Sequence, residues 1–233
     1  SRFDAGVGRL IEILQAAGVY DDTLIVVTGD HGTAFPGAKT TVYEAGLHVP
    51  LIVRNPYQEK RGIVSDALIS FVDLTPTLLD FAGAKAPIKF HGRSLLPTLA
   101  SEHTAGWDEL YASHTFHEIT MYYPMRVVRT RTHKLIWNIA HPLPFPFASD
   151  LWESPTWQAA YAQGENAPYG RTTVGGFIHR PKYELYEIAT DPNETKNVAD
   201  DPAQAETLKT LVGKLHEFQK RTSDPWELKQ RYE

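Results

Sequence analysis

The chain has 233 residues, a formal net charge of −5, 42% hydrophobic and 22% charged residues, and no cysteine. This composition is that of a globular protein with a sizeable core. It argues against a broadly basic nucleic-acid surface and excludes disulfides, thiolate catalysis and zinc–cysteine sites within the chain. No apolar run approaches the roughly 20 residues needed to cross a membrane, so neither nucleic acid nor a membrane span is expected as a partner.

The opening SRFDAGVGRL lacks the apolar segment and small-residue cleavage site of a signal peptide. Val7, Leu10, Ile11 and Leu14 recur at helical spacing, and Gly18 marks the end of that helix. TLIVVT, residues 23–28, is nearly all apolar and reads as a strand for the middle of a parallel sheet. Leu51–Val53 is a second short strand, and residues 64–69 are expected to be partly extended. Asp73–Ala82 reads as a helix with proline near its start, stopped by Gly83, and Leu95–Leu99 as a short helix. These elements form an α/β piece up to about residue 105.

The texture then changes. Leu110–Ser113, Met125–Thr130, His133–Ile139 and Tyr183–Ile188 are expected strands, the middle pair joined by the turn RTRTH. Proline interrupts HPLPFPFASDLWESP, residues 141–155, which reads as a substrate-side or interface loop. Trp157–Gln163 suits a short helix, and Trp152 and Trp157 suit the core. Ala203–Arg221 is a long helix with Leu208, Leu211, Val212, Leu215 and Phe218 on one face. Residues 106–233 therefore read as a smaller α+β domain with antiparallel strands and one long helix.

The chemistry concentrates just past TLIVVT. Sites in open α/β sheets form beyond the carboxyl ends of strands, and Gly29 and Gly32 flank Asp30 and His31 there. A carboxylate and a neutral imidazole can both ligate a divalent ion, but two side chains do not complete a shell. Capping by Asp30 and simple packing by His31 is the competing reading. Lys39 offers a point charge to an anion, or is an ordinary solvated lysine, and Glu44 is placed to pair with it. In TFHEITMYYPMR, residues 115–126, His117, Glu118 and Arg126 are candidates for contacting a polar, charged substrate. Tyr122 and Tyr123 either stack on a sugar or fill a seam.

FDAGVGRLIEILQAAGVYDDTLIVVTGDHG, YEAGLHVPLIVRNP, DLTPTLLDFAG, HGRSLLPTL and YELYEIATDPNETKNVADDP, in this order, resemble type I sulfatases of the alkaline-phosphatase-like superfamily. FHEITMYYPMR, LPFPFASDLWESPTWQ and DPWE narrow the resemblance to the heparan N-sulfatase subgroup. The resemblance implies the C-terminal part of the family's large α/β sheet domain over residues 1–105, followed by the smaller domain at 106–233. It implies Asp30 and His31 as Ca²⁺ ligands, the latter where many members carry asparagine. It makes Lys39 a catalytic, sulfate-contacting residue where heparan N-sulfatases carry arginine. It places His117 and Glu118 near a glycan pocket that Arg126 helps shape, and treats Glu44 as structural.

The family's formylglycine arises in a Cys/Ser-x-Pro-x-Arg motif that is not found in this sequence. The resemblance therefore implies a missing N-terminal half that holds the nucleophile, further metal ligands, the general acid and much of the sheet. That half, or a second copy in a homodimer, is expected to cover an exposed apolar face. A sulfated saccharide is the implied substrate and the periplasm or exterior the implied location. Another O-sulfatase or phosphodiesterase of the superfamily, or a non-catalytic carbohydrate-binding or scaffold fragment, are the alternatives.

Overall fold

A computed structural model describes residues 1–86, 88–118 and 121–227. In chain order the elements are α1 (Arg2–Ala16), β1 (Ile25–Thr28), α2 (Glu44–Leu47), β2 (Leu51–Arg54), α3 (Leu74–Phe81), β3 (Glu109–His117), β4 (Met121–Thr130), β5 (Lys134–Asn138), α4 (Ser149–Trp152), α5 (Pro155–Tyr161), β6 (Pro168–Tyr169), β7 (Thr172–Thr173), α6 (Val174–Ile178), β8 (Tyr183–Tyr186) and α7 (Ala205–Thr222). Two compact units result. One comprises Ser1–Gly29 with Pro50–Ala105, the other Asp30–Val49 with Gly106–Glu233.

In the first unit, the Ser1 side chain caps α1 by accepting from the Asp4 N–H at 3.2 Å. The helix buries no residue, and Leu10 and Ile13 are 63% and 53% exposed. β1 and β2 pair antiparallel, with Val26 opposite Val53. Among the described residues this antiparallel pairing replaces the parallel neighbour expected for β1. Every residue of β1 is only half-buried, since a two-stranded ribbon has no inner strand and its apolar composition reports faces left uncovered among the described residues. Arg54 ties the ribbon to the turn after α1. It donates to the carbonyls of Tyr20 and Thr23 at 2.7 and 3.1 Å and lies over the Tyr20 ring.

The motifs around α3 act as one clasp. Ser70 and Asp73 form a capping box over a 3₁₀ turn at Phe71–Asp73. Asp73 also accepts from the Arg93 N–H, and the Thr77 hydroxyl oxygen from the Leu95 N–H, both at 2.9 Å. A Cβ on Gly92 would lie 2.1 Å from the Val72 carbonyl oxygen, so only glycine lets HGRSLL approach DLTPT this closely. Leu95–Leu99, read as a short helix, is a short 3₁₀ helix at Leu96–Ala100, whereas no strand forms at residues 64–69.

The second unit is built on an antiparallel sheet in the order β3-β4-β5-β8. The expected pairing of β4 and β5 is present, closed by the Thr130 N–H donating to the His133 carbonyl. Alternation assigns each residue to one of two faces. Val128, Leu135, Trp137 and Leu185 pack with Leu211 and Leu215 of α7. Met121, Tyr123, Met125, Val127 and Ile136 pack with Val42, Tyr43, Phe145, Leu151, Trp157 and Phe177. Trp157 is fully buried, as expected, whereas Trp152 is 40% exposed, and Phe218 of α7 stacks on Tyr111 at 4.2 Å.

Arg126 lies on the α7 face, buried. Its guanidinium grips the Asp224 carboxylate at 2.5 and 2.8 Å and donates to the Met125 and His114 carbonyls. Burial raises the Asp224 carboxyl, but the Arg126 hydrogen bonds and the Trp226 N–H outweigh it and leave it below the ordinary range. A depressed carboxyl contributes stability that is complete above its unfolded pKa of about 3.9 and is lost as pH falls through the folded value. Asp224→Asn is therefore expected to flatten the acid limb of stability below about pH 4, as read by urea unfolding at stepped pH. An unchanged limb would show that this pair does not set it.

Candidate active site

The chain between β1 and β2 folds back on itself within the second unit. The Thr33 carbonyl accepts from the N–H groups of Phe35 and Lys39 at 2.7 and 3.1 Å, returning Lys39 to the neighbourhood of the Asp30–His31 end. The Gly32 N–H donates to the Gly46 carbonyl at 3.1 Å. A Cβ on Gly32 would sit 1.8 Å from the Ala45 carbonyl oxygen, and one on Gly46 2.4 Å from that of Ala38. Both glycines are required by this closure rather than by a positive φ.

Asp30 is exposed, its Oδ2 3.6 Å from His31 Nε2. The other ring nitrogen, Nδ1, lies 2.6 Å from the Gly32 carbonyl oxygen and donates to it. That bond fixes the proton on Nδ1 and leaves the Nε2 lone pair for a ligand. Asp30 and His31 thus fit a cation as a partial donor set. Among the described residues no group of three or more His, Asp or Glu side chains is arranged to hold a metal ion.

Lys39 pairs with Asp150, Nζ donating to Oδ2 at 2.7 Å. The expected Lys39–Glu44 pair is not formed. Glu44 turns instead to the sheet, where Lys134 Nζ lies 3.1 Å and Arg129 Nε 3.4 Å from its Oε1. Burial pushes the Glu44 carboxyl up, yet Lys134 and then Arg129 outweigh it and hold it below its ordinary value. Lys134, fully buried, also lies 2.9 Å from Glu194, whose other oxygen accepts the Glu44 N–H at 2.7 Å. On the same face the buried Glu184 accepts from Tyr43, Tyr186 and Asn138 at 2.6–2.8 Å. Burial first, then the negative charge of Glu184, pushes the Tyr186 hydroxyl far above its usual range. These polar groups are why β5 reads KLIWN rather than as a pure apolar run: they dock the Tyr43–Glu44 end of the loop.

Glu118 stands at φ +58 just after β3 and accepts from the N–H and hydroxyl of Ser149 at 3.3 and 3.2 Å. His117 is the last residue of β3, opposite Met121. Lys39 and Glu118 therefore meet adjacent residues of one turn, Asp150 and Ser149, while Arg126 serves the opposite face of the sheet. Tyr123 is buried and Tyr122 is 38% exposed, 6.4 Å from Trp226.

Residues 1–84 match the family model described as Sulfatase. Over 97% of its length the chain is 39% identical to N-sulphoglucosamine sulphohydrolase of Homo sapiens, covering 47% of that protein. Residues 1–84 thus carry a sulfatase-family domain, and the chain as a whole is similar to sulfatases. The chain is also 30% identical to an N-acetylglucosamine-6-O-sulfatase of Bacteroides thetaiotaomicron, with 95% of this chain and 34% of that protein covered. A solved structure in complex with its substrate D-glucosamine-2-N,6-O-disulfate aligns at TM-score 0.68 and 26% identity, covering 95% of this chain and 39% of the other. The chain thus spans about half, or less, of the length of the relatives it matches. Its mixed α/β fold, with antiparallel sheets and a long helix near the C-terminus, is the one expected for the C-terminal part of this family.

Sequence reasoning missed Asp150 and Ser149 as members of the site. The available signal was the tract from 141 to 155, irregular and rich in proline yet ending in Ser-Asp followed by buried Leu151. Polar residues opening a helical turn after such a tract are candidates for contact with another loop.

Proposed function

We propose that this chain is part of an enzyme that hydrolyses the sulfamate of N-sulfated glucosamine in heparan-type saccharides, acting with the remainder of a longer protein. The observation that carries the reading is the 39% identity to a protein named N-sulphoglucosamine sulphohydrolase, sustained across both units. The substrate of the structural neighbour, which bears a 2-N-sulfate, supports it.

In this reading Lys39 directs its ammonium to a sulfate oxygen and opposes the charge that grows there as the S–N bond breaks. His117, at the end of β3, faces the sugar and Glu118 shapes the wall around it, whereas Arg126, buried against Asp224 on the opposite face of the sheet, supports the sheet and does not reach the sugar. Asp30 and His31 would hold the family's Ca²⁺ from this chain, with further ligands and the formylglycine contributed by the rest of the protein. When bound, the cation supplies positive charge for sulfate oxygens. A periplasmic or secreted setting accompanies the reading; among the described residues no helix is long and apolar enough to cross a membrane.

A second reading, O-sulfate hydrolysis, is favoured by the 6-O-sulfatase relative and by the 6-O-sulfate on the neighbour's ligand. The test is release of inorganic sulfate by the full-length protein from N-sulfoglucosamine and from N-acetylglucosamine-6-sulfate, with a phosphodiester as a third arm. Preference for the N-sulfated sugar is expected. Turnover of the 6-O-sulfate or the phosphodiester alone would replace the first reading, and no turnover at all would favour a binding fragment.

A further inference from the structure

The first turn of α4 receives two contacts from distant parts of the chain, and the proposed chemistry leaves both unused. Lys39 reaches Asp150 across 111 residues of sequence at 2.7 Å. One residue earlier, Ser149 is held through both its N–H and its hydroxyl by Glu118. A four-residue helix does not persist on its own. α4 persists because Ala148 and Leu151 are buried on either side of these two residues, and because Phe147 packs on the buried Trp157 ring at 4.2 Å. The turn is a platform seated in an aromatic cluster, with its polar side facing Lys39.

We infer that Asp150 is a positioning residue for Lys39, and that Glu118 keeps Asp150 in place by gripping the turn that carries it. The inference rests on the proposed role of Lys39 at the sulfate. A lysine side chain is a flexible four-carbon stem ending in three donors. Its charge is of use at a growing oxyanion only if it is already in place. The Asp150 carboxylate takes one donor and leaves two for an anion. The pair is not there chiefly for stability: the Asp150 side chain is 48% exposed, and ion pairs that open to water contribute little. Glu118 fits the same scheme. Its left-handed backbone at the β3 end aims the carboxylate at α4 rather than at open solvent, so a residue expected to touch substrate acts one step behind it.

The test uses the full-length protein with Asp150→Asn, Lys39→Ala and the double variant. Steady-state kinetics on N-sulfoglucosamine are paired with calorimetric binding of inorganic sulfate, which needs no turnover. Asp150→Asn is expected to lower kcat/KM by about 10–100-fold, the scale of a misplaced catalytic group, and to weaken sulfate binding. The same change is expected to add almost nothing in the Lys39→Ala background. Asp150→Glu should restore part of the loss, and Glu118→Gln should show a smaller version of the same pattern.

If Asp150→Asn does not fold, Asp150→Glu and Glu118→Gln carry the comparison in its place. Wild-type kinetics and sulfate binding in Asp150→Asn beside an impaired Lys39→Ala would overturn the inference and leave the proposed role of Lys39 intact. An equal loss in both backgrounds would assign Asp150 a structural role only. Unimpaired Lys39→Ala would remove the role of Lys39 itself, and the inference with it.

Discussion

Lys39→Ala in the full-length protein is expected to lower kcat/KM for a sulfated glucosamine by about 10²–10³-fold, the usual loss when one preorganised donor at a developing oxyanion is removed. The reason lies in what holds the lysine. Its backbone is returned toward His31 by the bond to the Thr33 carbonyl, and its ammonium is fixed by Asp150. No reorganisation is then required when charge grows on the substrate. Lys39→Arg should retain most of the rate, since the guanidinium keeps the charge and can still donate to Asp150. The melting temperature should barely move in either variant, because the Lys39–Asp150 pair opens to solvent on the Asp150 side. Wild-type kinetics for Lys39→Ala would remove this chain's cation from the chemistry and leave it a supporting role.

Lys134→Ala is expected to destabilise the protein by about 3–5 kcal/mol, the range for breaking a buried ion pair from one side. Lys134 and Glu194 are 0% and 1% exposed in their side chains, and Glu44 is 18% exposed. Removing the ammonium leaves the Glu194 carboxylate buried, with Arg171 at 3.4 Å as the remaining ionic partner among the described residues. The damage should reach the site as well, since Glu44 and Tyr43 anchor the loop that carries Asp30, His31 and Lys39. Urea unfolding reads the first effect and sulfate binding the second. Lys134→Met combined with Glu194→Gln should recover part of the stability, because neither replacement leaves a buried charge unmatched. A loss below about 1 kcal/mol in Lys134→Ala would mean that water reaches Glu194 once the lysine is gone.

Much of the second unit is legible from periodicity. The strand-forming run Met125–Thr130, the apolar run that follows in HKLIWNI, the turn residues between them, and the spaced leucines of α7 each follow from local geometry that needs no distant partner. The first unit is less legible for a physical reason. TLIVVT is as apolar as an inner strand, but apolar composition reports what a strand is built to bury and not which strand lies beside it. Within this chain its neighbour is β2, antiparallel. The site is divided in the same way. Asp30, His31 and Lys39 stand out because acid, imidazole and ammonium cluster after a strand between glycines. Their partners do not stand out: Asp150 and Glu194 look like ordinary surface acids, and Lys134 like an ordinary lysine at the start of a strand.

By itself the sequence determined the main strands and the long helix of the second unit, the absence of thiols within this chain and the motif order that resembles the family. Only the tertiary structure decided that Asp30–Val49 groups with the C-terminal unit, that Glu44 answers Lys134 instead of Lys39, and that Lys39 answers Asp150. Local backbone and hydrophobic preferences are written within a few residues of each position. The choice among many similar charges depends on which of them the folded chain brings within hydrogen-bonding distance and which it shields from water.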